Sequence, residues 1–152
     1  MTDLLMHLLD FSYVDKACAG DRAMRAELLG LFAEQMRSLG ATLDALLEND
    51  SLEALAREAH SVKSTALSMG MDEMAASLKK IEVVSKKLLL SSVSVELAPS
   101  RRQLYEEQMN SLQPDLNEWA EANMSKKTLH DLICFCKLQS SRAVSEIGQL
   151  DG

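Results

Sequence analysis

The chain has 152 residues, of which 47% are apolar and 26% charged, and its formal net charge at pH 7 is −7. The surplus of acidic groups excludes the broad basic surface of a nucleic-acid-binding protein. No apolar run reaches the ~18 residues needed to cross a membrane, so we expect no membrane span. The N-terminus is unlike a signal peptide, and three cysteines form no disulfide framework. We therefore expect a cytoplasmic protein.

Low glycine and proline content predicts an all-α protein. Residues 1–19 form an apolar entry segment that we expect to be a short helix ending at Gly20. Asp21 can then cap a long helix, in which apolar side chains recur every three or four positions: Met24, Leu28, Phe32, Leu39, Leu43 and Leu46. A helix over residues 51–68 follows and ends at Gly70, since glycine favours the left-handed conformation of a helix terminus.

The second half of the chain is also helical in pattern. Asp72 can cap a fourth helix that runs to about residue 90, and residues 91–99, rich in Ser and Val, are expected to form a loop. Helical periodicity returns over residues 100–123, where Pro114 should kink or split the helix. A last helical stretch covers residues 127–147.

Short connections between long amphipathic helices predict antiparallel neighbours, and therefore an up-down-up-down four-helix bundle. A short N-terminal helix and an extra C-terminal helical segment would accompany it. We assign residues 1–125 to the bundle and residues 126–152 to an extension that is packed on it or appended to it. The role of residues 100–152 stays open: they could complete the bundle, shield one end or select partners. We expect a monomer.

One histidine of the third helix stands apart from its apolar side. The buried stripe predicted for that helix comprises Leu55, Ala59, Val62, Ala66 and Met69, and His60 lies well off it. The helical neighbours of His60 are Ala56, Lys63, Ser64 and, two turns on, Leu67. The sequence thus predicts an imidazole on an exposed ridge, with a lysine beside it and small residues around it. The alternative is a solvated surface histidine without a function.

The segment Ala59-His60-Ser61-Val62-Lys63-Ser64-Thr65-Ala66, followed by Met69-Gly70, resembles the signature of the histidine-containing phosphotransfer (HPt) family. Leu78-Lys79-Lys80-Ile81-Glu82 is similar to the helix that follows in that family. The resemblance covers about residues 10–90. Ser64 departs from it, because many members have Gly directly after the Lys, and its hydroxyl could slow the approach of a partner.

The chemistry of a phosphoryl carrier suits an imidazole. A free imidazole has a pKa of ~6.5, so this type of side chain can serve as a neutral nucleophile and as a good leaving group afterwards. A carboxylate that accepts the N–H of one ring nitrogen would fix the tautomer and leave the other nitrogen free. Glu82, at the edge of its helix's apolar stripe, is the candidate, and the resemblance places the His-orienting residue at this position. The alternative for Glu82 is a solvated surface acid.

Two lysines and several small or apolar residues complete the predicted site. Lys63 should offset the negative charge of the transferred phosphoryl oxygens. Lys86, one turn beyond Glu82, is expected to add positive potential. The surface on which a partner docks is predicted to include Ala56, Ser64, Leu67, Gly70 and Ala75.

The HPt resemblance implies a carrier that accepts a phosphoryl group on His60 from a receiver-domain aspartate and passes it to another response regulator. Its implied partners are receiver domains and a hybrid sensor histidine kinase. No cofactor of its own is implied, because the receiver domain would hold the Mg²⁺. The sequence has neither GxGxxG nor GxxxxGK[ST], so we expect no ATP-dependent kinase activity.

Two other classes of function remain open at this point. One is an all-helical adaptor that binds a protein partner without phosphotransfer. The other is a metal-binding bundle that uses His130, Cys134 and Cys136. These three residues, spaced i, i+4 and i+6 in one helix, do not close a tetrahedron, and we predict no metal site.

Overall fold

A computed structural model describes residues 8–92 and 97–150 of the chain. These residues form seven helices and no strand: α1 Ser12–Cys18, α2 Arg22–Glu48, α3 Leu52–Ser68, α4 Asp72–Ser91, α5 Pro99–Asn110, α6 Pro114–Ala122 and α7 Lys126–Leu150. The all-α fold class is confirmed. The first seven residues of the predicted entry helix and positions 93–96 of the predicted loop lie outside the described residues. Over the described ranges, no helix has the length and apolarity of a bilayer span.

Local sequence signals explain several helix ends. Asp21 caps α2 as predicted, since its carboxylate accepts a hydrogen bond from the Met24 N–H at 3.0 Å. Gly70 adopts φ +77° between α3 and α4, a conformation that costs an L-residue strain. The prediction that Asp72 caps α4 is wrong: Met71 is the N-cap residue, without a side-chain cap. Asp72 instead lies in the first turn, where the helix dipole stabilises its carboxylate.

Pro114 divides the predicted helix of residues 100–123 into two. α5 ends at Asn110, and Pro114 is the first residue of α6, where its missing N–H costs no hydrogen bond. The predicted split is therefore confirmed.

α2, α3, α4 and α7 pack around one core in a ring, with α7 closing it between α2 and α4. α7 runs antiparallel to α2, because Lys137 pairs with Asp44 at 2.7 Å and the Ser140 hydroxyl donates to Met36 Sδ at 3.7 Å. The core side chains from α3, α4 and α7 include Leu55, Val62, Met74, Leu78, Ile81, Leu129, Ile133 and Ala143.

The helix that closes the bundle is α7. α7 presents a buried side chain at every turn, whereas α5 and α6 together bury Tyr105, Met109 and Ala120 and pack outside the ring against α4. The reason is length, since the two short helices cannot offer the continuous apolar stripe that a bundle helix needs. The division between residues 1–125 and 126–152 stays a prediction, and α7 shares one core with the residues before it.

Candidate functional site

His60 stands on the exposed side of α3. Its side chain is 64% exposed, whereas the predicted stripe of Leu55, Ala59, Val62, Ala66 and Met69 is buried. The helical wheel therefore predicted the orientation of this imidazole correctly.

The inner nitrogen of His60 is held by Glu82 of α4. The ring's Nδ1 lies 3.1 Å from Glu82 Oε1, and the carboxylate is only 4% exposed. An ionised carboxylate can only accept hydrogen bonds, so Nδ1 carries the proton in this contact. The other ring nitrogen, Nε2, then presents its lone pair whenever the imidazole is neutral.

The charges around Glu82 keep it ionised. Burial raises the pKa of the Glu82 carboxyl, but the hydrogen bond and charge of Lys86, the hydrogen bond from His60 and the charge of Lys79 lower it. The net result is a pKa below the ordinary value of glutamate. Glu82 is thus a carboxylate at neutral pH, as an acceptor for the His60 N–H must be.

The Lys86 ammonium makes two hydrogen bonds and lies near one aromatic ring. Its ammonium donates to Glu82 Oε2 at 2.6 Å and to Gln108 Oε1 of α5 at 2.7 Å, and it lies 5.2 Å from the centre of the Tyr105 ring. The side chain is only 9% exposed. Lys86 therefore acts directly on Glu82, and its contribution to the positive potential at the site stays a prediction.

Two other lysines lie closer to solvent. Lys63, one turn after His60 on α3, is half-buried and has no hydrogen-bond or ion-pair partner within residues 8–92 and 97–150. Lys79 Nζ is 3.9 Å from Glu82 Oε1 and is 37% exposed. Lys63 is consequently available to an incoming anion, and Lys79 extends the positive rim on the α4 side.

A groove of about 360 Å³ opens beside His60. Glu82 and Lys86 contribute to its α4 side, and Leu104, Gln108 and Leu112, from α5 and its C-terminal end, form the opposite wall. The α5 wall also carries the exposed carboxylate of Glu107. A group in this groove therefore meets apolar, amide and acidic side chains on the α5 side and lysines on the α4 side.

In the comparison with known proteins, the family model described as Hpt domain matches residues 27–118 of the chain. The chain belongs to the Hpt domain family. Membership implies a histidine phosphocarrier of two-component signalling, rather than a kinase, that meets receiver domains and kinases. α7, which closes the bundle, lies outside the matched residues. Neither the curated proteins nor the solved structures gave a match.

The predicted docking residues of this Hpt domain do not all reach the surface. Ser64 and Leu67 are exposed, Leu67 at 52%, but Ala56 and Ala75 are only 1% and 3% exposed. The expectation that these two alanines form docking surface is wrong, because both face packed neighbours. A larger side chain would not fit at either buried position.

Gly70 has a structural reason for its position. A Cβ there would lie 2.5 Å from Asp10 Cβ, and the Asp10 N–H donates to the Met69 carbonyl at 2.9 Å. The turn after α3 is thus locked against the chain's N-terminal segment. A docking role for Gly70 stays a prediction.

α5 lies across the beginning of α3. The Tyr105 hydroxyl donates to Glu53 Oε2 at 2.6 Å, and Arg101 Nε lies 3.4 Å from the same oxygen. Ala56, one turn after Glu53, is buried without belonging to the bundle core, as expected if α5 covers it. This helix therefore covers the part of that face around Glu53 and Ala56, whereas Arg57, one turn before His60, stays exposed.

Sequence reasoning missed Lys79 and the α5 residues. Lys79 stands three positions before Glu82, so helical spacing alone could have found it. Leu104, Tyr105 and Gln108 have no such signal, because 22 residues separate Gln108 from Lys86 and 52 separate Tyr105 from Glu53.

The cysteines and His130 make no metal cluster. Among the described residues, no group of three His, Cys, Asp or Glu side chains is placed to hold a metal ion. Cys134 Sγ is 3.9 Å from both ring nitrogens of His130, whereas Cys136 is buried in the core. Burial raises the pKa of the Cys136 thiol to about 12.

Proposed function

We propose that His60 carries the phosphoryl group of this Hpt domain. It would accept the group from a receiver-domain aspartate and pass it to a second response regulator. The observation that carries the proposal is an exposed imidazole whose Nδ1 is held at 3.1 Å by a buried carboxylate. This arrangement leaves Nε2 as the nucleophile.

The transfer follows from that geometry. The Nε2 lone pair attacks phosphorus of the aspartyl phosphate, the bond between phosphorus and the aspartate oxygen breaks, and the aspartate leaves as a carboxylate. The Nδ1 proton stays on the ring, and Glu82 offsets the positive charge that develops there, as a carboxylate does for other catalytic imidazoles. In the second step an aspartate oxygen attacks phosphorus, and neutral imidazole is the leaving group.

Lys63 would supply the cation for the phosphoryl oxygens. It stands one turn from His60 and has no partner within the described part of the chain. A hybrid sensor kinase as the source of the phosphoryl group, a monomeric state and a cytoplasmic location remain predictions.

The test is incubation of the chain with a receiver domain phosphorylated on aspartate, in the presence of Mg²⁺. We expect an acid-labile phosphoryl group to appear on the wild type and to be absent from His60→Gln. His130→Gln is the matched control, because the His130 side chain is 63% exposed on α7 and has no carboxylate oxygen closer than 3.9 Å. Transfer to His60→Gln at the wild-type rate would contradict the proposal.

The labelling assay, together with a measurement of receiver binding, also tests the alternative of an all-helical adaptor without phosphotransfer. A chain that binds the receiver equally well after His60→Ala, and never takes up the label, would be a binding protein without phosphotransfer.

A further inference from the structure

Two exposed leucines flank His60, and one of them comes from α5. Leu104 is 47% exposed and lines the groove that contains His60, and Leu67 is 52% exposed two turns along α3. The remaining large apolar side chains that are exposed in the described chain lie on α1, α2 and α7: Tyr13, Met24, Leu31, Leu138 and Leu150. The site proposed above is thus bordered by apolar surface on both sides.

We propose that α5 forms one wall of the receiver-docking surface, with Leu104 as its apolar anchor and Leu67 as the anchor on the far side of His60. This inference rests on the proposed function, since the occupant is the receiver domain that exchanges phosphate with His60.

The size of a protein interface places both leucines inside the footprint. A standard interface covers about 800 Å² on each partner, a patch roughly 30 Å across. Leu67 stands about 10 Å from His60 along α3, at ~1.5 Å per residue, and Leu104 shares a groove with His60. A donor that brings phosphorus to Nε2 therefore cannot avoid covering them.

α5 also decides how the receiver is oriented. The contacts of Tyr105 and Arg101 with Glu53 lay α5 over the start of α3, so a partner meets the outer surface of α5 there instead of the α3 backbone. The receiver must then extend from His60 toward Ser64 and Leu67 on one side and rest on Leu104 on the other. Burial of an aliphatic side chain at the centre of an interface stabilises the complex through the apolar area that it removes from water.

The charges of the rim favour the same partner. Lys63 and Lys79 stand at the α3 and α4 sides of His60, and Arg57 is exposed one turn before it on α3. Glu107, on the α5 side of the groove, is the acidic exception. The group that must approach is an anionic aspartyl phosphate. Opposite charges align the encounter, while the two leucines supply apolar contact.

The test measures phosphotransfer at several concentrations of a receiver that labels the wild type. We expect Leu104→Asp and Leu67→Asp each to raise the half-saturating receiver concentration about tenfold or more, as loss of an interface anchor does. Leu104→Ala should give a smaller rise in the same direction. Leu138→Asp is the matched control, since Leu138 is 61% exposed on α7, and we expect it to stay within about twofold of the wild type.

A small phosphodonor, phosphoramidate, separates docking from the chemistry of His60. Circular dichroism confirms that each variant is folded. The neutral variants Leu104→Ala and Leu67→Ala add no charge beside His60, so phosphoramidate should label them within about twofold of the wild-type rate. The proposal is overturned if Leu104→Asp transfers from the receiver as Leu138→Asp does, or if Leu104→Ala loses phosphoramidate labelling to the same extent as receiver transfer, since the substitution then acts on His60 itself. A wild type that neither donor labels would instead refute the proposed function.

Discussion

Replacing Lys86 by methionine tests the charge arrangement under His60. Methionine keeps the length of the side chain but leaves the Glu82 carboxylate, 4% exposed, without its 2.6 Å partner. The Coulomb attraction in that pair is about 6 kcal/mol at an effective dielectric constant of about 20. His60 and Lys79 still face Glu82, and the variant no longer buries an ammonium, so we expect a net loss of about 3 kcal/mol at neutral pH.

The loss should depend on pH, with a sign that the structure determines. In the wild type the Glu82 pKa is lowered, so its contribution to stability is present above the unfolded value of about 4.3 and disappears as the pH falls through the folded value. In Lys86→Met, burial dominates and the pKa rises, so the ionised carboxylate becomes a cost that grows above about pH 4.3. The difference between the two proteins should therefore be largest at neutral pH and smallest in acid.

Urea denaturation near pH 4.5 and pH 7.5 measures the difference in the free energy of unfolding between the two proteins. In thermal denaturation at neutral pH, the melting temperature of Lys86→Met should be about 6–12 °C below that of the wild type. Lys127→Met is the matched control, because Lys127 pairs with Asp131 at the same i, i+4 spacing but on the open surface; it should change stability by no more than about 0.5 kcal/mol. Glu82→Gln combined with Lys86→Met should recover most of the loss. Equal losses at both pH values, or a double variant as unstable as the single one, would refute the reasoning.

Two further predictions concern Gly70, in the turn after α3, and Tyr105 of α5, which lies over the beginning of α3. Gly70→Ala should lower the free energy of unfolding in urea by about 2–4 kcal/mol, since it adds left-handed strain and a Cβ 2.5 Å from Asp10. Gly30→Ala, where the space around the added Cβ in α2 is open, should raise it by about 0.5–1 kcal/mol. Equal changes in the two variants would contradict this prediction. Burial, followed by the hydrogen bond and charge of Glu53, raises the pKa of Tyr105 to about 12. Ultraviolet titration should show a tyrosine that ionises near pH 12, and this step should be absent from Tyr105→Phe. Ionisation of Tyr105 near pH 10 would exclude the described burial.

The sequence alone was enough for the features that depend on local spacing. Helical periodicity identified the buried stripe of α3, and the position of His60 off that stripe made its exposure predictable. Asp21, Gly70 and Pro114 act within one or two turns of themselves, so their effects on helix ends could be predicted without the fold.

Tertiary packing decided the rest of the site. The choice of α7 over α5 and α6 as the fourth bundle helix depends on which helix buries the longer apolar stripe against the others. The burial of Ala56 and the engagement of Lys86 by Gln108 both follow from where α5 comes to rest. Such contacts join residues far apart in the chain, and the local pattern of a helix carries no information about which neighbour will cover it.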